Sequence, residues 1–152
     1  MSSYYPIFLK IQGKNCVVIG GGKVAERKVR GLLEHGASIL VISPSLSPGL
    51  KRLAKKGQIR AEARGYQAGD LDSAFIAIAA TDDPRINLKV AQEAKEKGVL
   101  ANIADEQWRL SDFILPSTLQ RREFAIAVST GGANPALARR IREELENLFP
   151  QE

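Results

Sequence analysis

The residues that could do chemistry begin with a glycine-rich loop near the N-terminus. Gly20, Gly22 and Ala25 follow a short apolar run and precede a helical pattern of apolar residues. In this spacing the first glycine allows a tight turn, the second lets backbone approach a pyrophosphate, and the alanine lets a helix pack on a strand. The N-terminus of a helix also attracts phosphate. We therefore expect the two glycines, with Lys23 and Val24 at the helix start, to bind a dinucleotide cofactor.

Polar residues also follow three other predicted strands. Ligands of parallel α/β sheets bind beyond the carboxyl ends of the strands. This rule predicts cofactor contacts from Ser43, Pro44, Thr81 and Asn102. The second strand of many such folds ends in an acidic residue that binds the ribose hydroxyls, whereas here it ends at Ser43. No arginine follows immediately to hold a 2′-phosphate, so NAD is favoured over NADP.

Asp105 lies just after the fifth predicted strand, at the same sheet edge. A carboxylate at this position could take a proton from a substrate or stabilise a developing positive charge. An aspartate after a strand could equally cap a helix or lie in a solvated loop. The residues alone leave both interpretations open.

The elements that must position these loops alternate between strand and helix. Strands are predicted over residues 16–19, 38–42, 58–64, 74–80 and 99–104, with helices between most of them. This order predicts an α/β fold with a Rossmann-type, doubly wound parallel sheet over residues 1–111. Alternation of apolar and polar residues from Ile7 to Ile11 predicts an additional strand at a sheet edge.

The pattern changes over residues 112–152. Two strand-like runs, 113–119 and 124–128, precede a polar turn and a helix that begins at Pro135. This two-strand-plus-helix appendage is too small to hold a core alone, and a second copy of the chain is the simplest surface for it to pack on. Four apolar residues at four-residue or three-residue steps are expected to be buried on that helix: Leu137, Ile141, Leu145 and Leu148.

Composition narrows the partners. The 152 residues are 44% hydrophobic and 26% charged, with a net charge of +5, which favours an anionic partner. The basic residues are scattered and lack interleaved aromatic residues, which argues against nucleic acid. No segment resembles a membrane span or a signal peptide, so a cytoplasmic location is expected. The lone Cys16 and lone His35 are far apart, so no metal site of these residues is predicted.

Six segments taken together resemble one family, precorrin-2 dehydrogenase, which forms the N-terminal dehydrogenase/ferrochelatase half of siroheme synthase. They follow the family's order over almost the whole chain. The segments are Tyr5-Pro6-Ile7-Phe8-Leu9, Val18 to Lys28, Ala79-Ala80-Thr81-Asp82-Asp83, Asn102 to Asp105, Phe113-Ile114-Leu115-Pro116-Ser117, and Ser129 to Arg139. Glu106-Gln107-Trp108-Arg109 departs from the family, which often has an acidic or small residue and a proline there. Members also often continue into a further helical segment, whereas this sequence ends at Glu152.

The resemblance implies NAD-dependent oxidation of precorrin-2 to sirohydrochlorin, with Asp105 as the catalytic carboxylate. In some members the same pocket also inserts ferrous iron. It implies a homodimer in which the appendages of two chains interlock. Precorrin-2 carries eight carboxylates, which guanidinium groups and helix N-termini can bind.

On this basis Ser129, Thr130, Gly131 and Arg139 are the candidate substrate-binding residues. The first three could also form an ordinary capped turn. A competing interpretation is a regulatory module that senses NAD without catalysis. Such a module would need neither the segment from Ser129 to Arg139 nor an aspartate at position 105.

Overall fold

A parallel five-stranded sheet forms the centre of the computed structural model, which describes residues 3–151. Its strands are β1 (Asn15–Ile19), β2 (Ser38–Ile42), β3 (Arg60–Glu62), β4 (Ile76–Ala79) and β5 (Leu100–Ile103), in the order β3-β2-β1-β4-β5. The connecting helices are α1 (Lys23–Glu34), α2 (Pro48–Lys55) and α3 (Pro84–Lys97). The predicted Rossmann-type fold is confirmed.

The helix boundaries follow from local chemistry. The Ser47 hydroxyl accepts a hydrogen bond from the backbone N–H of Leu50 (3.2 Å), and the Asp83 carboxylate accepts one from the N–H of Arg85 (2.9 Å). Each cap is followed by a proline at the first helical position, where no N–H is needed. Gly98 ends α3 in the left-handed conformation, with φ at +67°.

The sheet is buried most completely at its centre. All residues of β4 are buried, as its continuous apolar sequence predicts for a strand covered on both faces. Val17 and Ile19 of β1 contribute to a core that includes Val90 and Ala94 of α3. The sheet thereby holds the carboxyl ends of β1, β2, β4 and β5 side by side.

The predicted strand over residues 7–11 is wrong. The structure has no strand there, and of these residues only Ile11 is buried. One edge of the sheet lies at β5, and the residues that pair with it are Ser111 and Asp112, which follow β5 in the chain. Asp112 donates its N–H to the Ala101 carbonyl and accepts from the Ala101 N–H, while the Ser111 hydroxyl accepts from the N–H of Ile103. These bonds use the edge groups of β5 that an added strand would need.

The chain divides into two units, a larger one over Phe8–Asp112 and a smaller one that joins residues 3–7 to residues 113–151. The smaller unit contains antiparallel strands β6 (Ser117–Gln120) and β7 (Ala125–Val128), followed by α4 (Pro135–Leu148). The Asn134 side chain caps α4, as predicted, by accepting from the N–H of Leu137 (3.0 Å). Within residues 3–151 no helix has the length and apolar character that crossing a bilayer requires.

Within the single chain, three of the four apolar residues expected to be buried on α4 are not buried. Leu137, Ile141 and Leu148 are exposed, Leu145 is half-buried, and Ala138 is the buried residue of the helix. Two strands of four residues each can cover only a narrow strip of a 14-residue helix. The rest of the apolar stripe therefore remains at the surface of this unit.

Candidate functional site

Three consecutive glycines connect β1 to α1, and they differ in the space around them. Gly20 has φ at +125°, and a Cβ there would lie 2.6 Å from the carbonyl carbon of Ala80, just after β4. A Cβ on Gly21 would lie 2.7 Å from the Ser43 hydroxyl and closer still to the Ser45 carbonyl oxygen. A Cβ on Gly22 would meet no atom within 4 Å. The first two glycines therefore allow close packing of the loop, and the third leaves an open surface.

That open surface faces the N-terminus of α1. The first intrahelical bond runs from the N–H of Glu26 to the Gly22 carbonyl (2.9 Å), so the N–H groups of Lys23 to Ala25 precede it. Lys23 and Val24 are exposed. Backbone donors, a helix dipole and an uncovered glycine together fit a pyrophosphate. The residues present thus suit a dinucleotide.

The loop after β2 packs on the glycine loop. Ser43 is buried and donates its hydroxyl to the Ser45 carbonyl (2.7 Å), whereas Pro44 is exposed. The Ser47 N–H donates to the Gly21 carbonyl (2.7 Å), and the Ser47 hydroxyl donates to the Glu26 carboxylate (2.5 Å). The hydroxyl bond from Ser47, with one from Arg30, lowers the pKa of Glu26. The hydroxyl proton of Ser43 is therefore donated within its own loop, and the hydroxyl oxygen can still accept a hydrogen bond.

A buried carboxamide joins the ends of β4 and β5. Asn87 of α3 has no solvent exposure. Its Oδ1 accepts from the Thr81 hydroxyl (2.7 Å) and the Thr81 N–H (3.2 Å), and its Nδ2 donates to the Thr81 carbonyl (3.0 Å). The same Nδ2 donates to Asp105 Oδ2 (2.6 Å), while Asp105 Oδ1 accepts from the N–H of Gln107 (2.7 Å). Asp105 is half-buried at the sheet edge, held by donors from two elements.

Asn102 lies in β5, three residues before Asp105. It is buried, and its Oδ1 accepts from Nζ of Lys28, which reaches it from α1 (2.9 Å). Burial lowers the pKa of the Lys28 ammonium from 10.5 to about 8, with a smaller effect from the nearby Arg27. The predicted cofactor residue Asn102 is thus engaged with a second element of the fold.

The larger unit brings most of the predicted cofactor residues into one connected set. Gly20 approaches the junction of Ala80 and Thr81, while Gly21 approaches Ser43. Thr81 is joined to Asp105 through Asn87. The carboxyl ends of β1, β2, β4 and β5 are therefore linked by direct contacts.

The predicted substrate residues lie in the smaller unit, in the turn before α4 and on its first turns. Ser129 Oγ accepts from the N–H of Gly131 (3.0 Å), and Thr130 Oγ1 accepts from the N–H of Asn134 (2.9 Å). Gly131 has φ at +65°, which favours glycine. Arg139 is exposed, and among residues 3–151 it has no ion-pair or hydrogen-bond partner.

Three other arginines of this unit have partners nearby. Arg140 and Arg142 pair with Glu144 and Glu146 along α4, and Arg121 donates to the carbonyl of Phe149 (2.6 Å). Such surface pairs contribute little to stability. They do, however, distinguish these three arginines from Arg139 and Arg122, which are exposed and have no such partner among residues 3–151.

Residues with metal-binding side chains do not cluster in the described part of the chain: no group of three or more His, Cys, Asp or Glu could hold an ion there. Cys16 is buried in β1, as expected for a small hydrophobic residue, and burial raises the pKa of its thiol to about 11. It is therefore a thiol, not a thiolate, at neutral pH.

Sequence reasoning missed Asn87, Gly21 and Lys28. The helical spacing of Ile86, Val90 and Ala94 indicates a buried stripe on α3, but Ile86 is only half-buried and Asn87 is fully buried. Asn87 precedes Val90 and Ala94 by three and seven residues, so helical spacing contained the signal. An amide on an apolar stripe must find hydrogen-bond partners, which makes it a candidate for a structural or functional network.

Two family models and several siroheme synthases are similar to this chain. A family model described as putative NAD(P)-binding matches residues 7–117, and one described as sirohaem biosynthesis protein central matches residues 125–148. Siroheme synthase of Nitrosococcus oceani is 47% identical over 97% of this chain, and siroheme synthase 1 of Serratia proteamaculans is 46% identical over 97%. This chain spans 31% of the length of each of these relatives.

A solved structure is similar over nearly the whole chain. The precorrin-2 dehydrogenase SirC superposes with a TM-score of 0.82 at 30% identity, covering 96% of this chain and 71% of that one. The fold and the glycine loop define a Rossmann-type dinucleotide-binding domain, and the family model agrees. The chain belongs to the family of NAD(P)-binding proteins that includes precorrin-2 dehydrogenase.

Proposed function

We propose that this protein catalyses NAD-dependent dehydrogenation of precorrin-2 to sirohydrochlorin, a step of siroheme biosynthesis. The observation that carries this proposal is the Asp105 carboxylate, fixed by Asn87 and the Gln107 N–H at the sheet edge that also carries the glycine loop. The similarity to siroheme synthases and to a precorrin-2 dehydrogenase supports the choice of substrate.

Cofactor binding is assigned to the larger unit. The N–H groups at the start of α1 and the open face of Gly22 receive the pyrophosphate, with Lys23 supplying positive charge. NAD is favoured over NADP because the loop after β2 presents Ser43 and Pro44 and no arginine. When bound, NAD supplies the hydride acceptor.

Asp105 acts on the proton that the substrate loses. Each of its carboxylate oxygens accepts one hydrogen bond from the protein, so each keeps a lone pair that can accept a proton. A fixed carboxylate can also stabilise positive charge that develops on the oxidised macrocycle. The Asn87 and Gln107 bonds hold the carboxylate in one orientation for either role.

Substrate binding is assigned to the turn before α4 and to Arg139. The turn places the N-terminus of a 14-residue helix at a polar, glycine-containing segment, and the exposed guanidinium can bind a carboxylate with two parallel bonds. The net charge of +5 favours a polyanionic substrate.

A homodimer is part of the proposal. Leu137 and Ile141 of α4 are exposed in the single chain, which leaves an apolar surface for a second copy. Ferrous iron remains a predicted substrate of the same pocket from the family resemblance alone. A cytoplasmic location is proposed on the same basis.

Asp105→Asn tests the function directly. Asn is nearly isosteric, so the fold and the NAD affinity should be retained. Because its one amide oxygen cannot accept from both Asn87 and the Gln107 N–H, the free energy of unfolding should fall by about 1–3 kcal/mol. Loss of a positioned acid–base group should lower turnover of precorrin-2 by about 10²- to 10⁴-fold. The assay is NADH formation from purified protein, precorrin-2 and NAD, monitored by absorbance.

A variant with wild-type turnover would contradict the catalytic role of Asp105. A wild-type protein that binds NAD but forms no NADH from precorrin-2 would instead favour the regulatory module. Addition of Fe²⁺ to the sirohydrochlorin formed, with the siroheme spectrum as readout, measures the chelatase activity in the same cuvette.

A further inference from the structure

Asn87 is the most buried polar side chain of α3, and it contacts Asp105, the proposed catalytic residue. Asn87 is fully buried, and α3 begins only three residues before it, at the turn that follows β4. Every other fully buried large side chain of the structure's described residues is apolar. A carboxamide in such surroundings is costly unless all its hydrogen-bonding groups have partners.

The hydrogen bonds of Asn87 fix the orientation of its amide. Both lone pairs of Oδ1 face donors of Thr81, the N–H and the hydroxyl. Both hydrogens of Nδ2 face acceptors, the Thr81 carbonyl and Asp105 Oδ2. A flipped amide would direct its oxygen at a carbonyl and a carboxylate, so only one orientation fits.

Asp105 depends on Asn87 for one of its two bonds. The other bond comes from the N–H of Gln107, whose side chain in turn donates to the Pro84 carbonyl at the start of α3 (2.9 Å). The segment after β5 is thus attached to α3 at two points, and only the bond from Asn87 comes from a side chain locked in the core.

We propose that Asn87 is a positioning residue: its carboxamide fixes the orientation of the Asp105 carboxylate against the carboxyl end of β4. The catalytic consequence rests on the function proposed above for Asp105, whereas the positioning itself is a property of the fold. Because Asn87 also forms hydrogen bonds with the backbone of Thr81, it fixes the position of the Asp105 carboxylate relative to the end of β4, where the cofactor is expected.

A purely structural role would involve Thr81 alone, and the pH profile of Asn87→Asp separates the two roles. The aspartate keeps the oxygen that accepts from Thr81, but it replaces the Nδ2 donor to both the Thr81 carbonyl and Asp105 with a second carboxyl oxygen. Two carboxyl groups in contact share a proton, and the pKa of one of them rises strongly. At neutral pH the pair then carries one negative charge and one shared proton, so the charge is no longer confined to Asp105 and its ionisation depends on position 87.

The double variant Asn87→Asp/Asp105→Asn exchanges donor and acceptor. The hydrogen bond between the two positions is restored, but the carboxylate now lies in the core and not at the sheet edge. We expect its melting temperature to recover part of the loss seen in Asn87→Asp, because the bond to the Thr81 carbonyl is still missing, while turnover stays at the low level of Asp105→Asn.

Two further variants serve as controls. Asn87→Ser removes the bond without adding a charge, which keeps the test valid if Asn87→Asp does not fold. Glu93→Gln alters another buried polar residue of α3, which accepts bonds from Tyr66 and the N–H groups of Gly69 and Leu71. It should lower the melting temperature without changing turnover.

The measurements are kcat and KM for precorrin-2 between pH 6 and 9, NAD affinity by calorimetry, and thermal melting. For Asn87→Asp we expect kcat at pH 7 to fall at least about tenfold, with KM and NAD affinity within about twofold of the wild type, because a positioned acid–base group contributes about 10²- to 10⁴-fold in full. Its kcat–pH profile should also gain an ionisation that the wild type lacks.

The charged groups on the segments that adjoin or contact this part of the sheet edge are the same in the Asn87 variants. They are Asp82, Asp83 and Arg85 before and in α3, Glu106 and Arg109 after β5, and Lys28, which contacts Asn102. Asp83 and Arg85 pair with each other (3.0 Å). A new ionisation in Asn87→Asp therefore comes from the pair of carboxyl groups at positions 87 and 105.

A kcat and pH profile that match the wild type in both Asn87 variants would overturn the inference. So would a loss of kcat no larger than that of Glu93→Gln at equal loss of melting temperature. If the wild type itself forms no NADH, the proposed function fails, and ¹³C NMR titration of the Asp105 carboxyl tests the positioning separately. A titration midpoint of Asp105 that is the same in wild type and Asn87→Asp would then overturn it.

Discussion

Substitution of the adjacent residues Gly21 and Gly22 should separate folding from cofactor binding within one loop. A Cβ on Gly21 would lie 2.7 Å from Ser43 Oγ and 2.9 Å from Ser43 Cβ, well inside the usual contact distance of about 3.5–4.0 Å. A Cβ on Gly22 would meet no atom within 4 Å, and its φ of −86° is ordinary for any residue. Gly21→Ala should therefore destabilise the fold, and substitutions of Gly22 should not.

The magnitude for Gly21→Ala follows from the overlap. The atoms it meets are a buried serine side chain and the Ser45 carbonyl, neither of which is a flexible chain end. Overpacking of this kind costs about 1–3 kcal/mol in the free energy of unfolding. At roughly 2–4 °C per kcal/mol for a chain of this size, the melting temperature should fall by about 2–12 °C.

Gly22→Asp should have the opposite pattern. Gly22 is the N-cap of α1 and forms no side-chain cap, so an aspartate there should stabilise the helix by a few tenths of a kcal/mol, about 1 °C. The same carboxylate would face the pyrophosphate. A pair of like charges about 4 Å apart repels by about 1 kcal/mol in bulk water and about 4 kcal/mol near a protein surface, so Kd for NAD should rise by about 5-fold to 1000-fold.

The assay combines thermal melting without ligand and calorimetric titration with NAD on the same preparations. Gly22→Asn is the matched control, because it caps a helix as well as aspartate does and carries no charge. Its Kd should lie between those of the wild type and Gly22→Asp. Wild-type NAD affinity in Gly22→Asp would refute the assignment of the pyrophosphate position, and a wild-type melting temperature in Gly21→Ala would refute the packing of the loop against Ser43 and Ser45.

Two predictions concern other parts of the molecule. The pKa of Lys28 is lowered to about 8 in the folded protein, below its value in the unfolded chain, so the cost of burying its charge is present below pH 8 and disappears as the pH rises to about 10.5. The melting temperature of the wild type minus that of Lys28→Met should therefore increase over this pH range, and a constant difference would contradict the burial of the ammonium. Ile141→Glu places a charge on the exposed apolar surface of α4, so if the proposed homodimer forms there, sedimentation at micromolar concentration should give dimers for the wild type and monomers for the variant. Asn147→Glu, at an exposed polar position of the same helix, should remain dimeric, and a dimeric Ile141→Glu would place the interface elsewhere.

Local chemistry made much of the fold predictable. Ser47-Pro48, Asp83-Pro84 and Asn134-Pro135 each placed a helix start correctly, because the capping bond and the proline act within four residues. The all-apolar sequence of β4 indicated a strand buried on both faces. The glycine spacing after β1 located the loop that the family model and the fold identify as part of an NAD(P)-binding domain.

Some features depended on contacts between residues far apart in the chain. The alternation from Ile7 to Ile11 is compatible with a strand, but a strand needs a free edge, and residues Ser111 and Asp112 occupy the edge of β5. The stripe on α4 indicated which residues are apolar, but burial depends on the area of the surface opposite. The two short strands of the smaller unit leave Leu137 and Ile141 exposed.

The candidate site also combines features that the sequence predicts with features that depend on contacts between distant residues. The sequence by itself determined that Gly20, Gly22, Thr81 and Asp105 lie at strand ends on one edge of the sheet, because strands that alternate with helices run parallel and their carboxyl ends meet at one edge. Only the tertiary structure decided that Asn87 joins Thr81 to Asp105, since a side-chain hydrogen bond is directional and depends on distances of a few tenths of an ångström. Periodicity specifies the face on which a residue lies, whereas the packing of α3 against β4 and β5 determines which atoms it contacts.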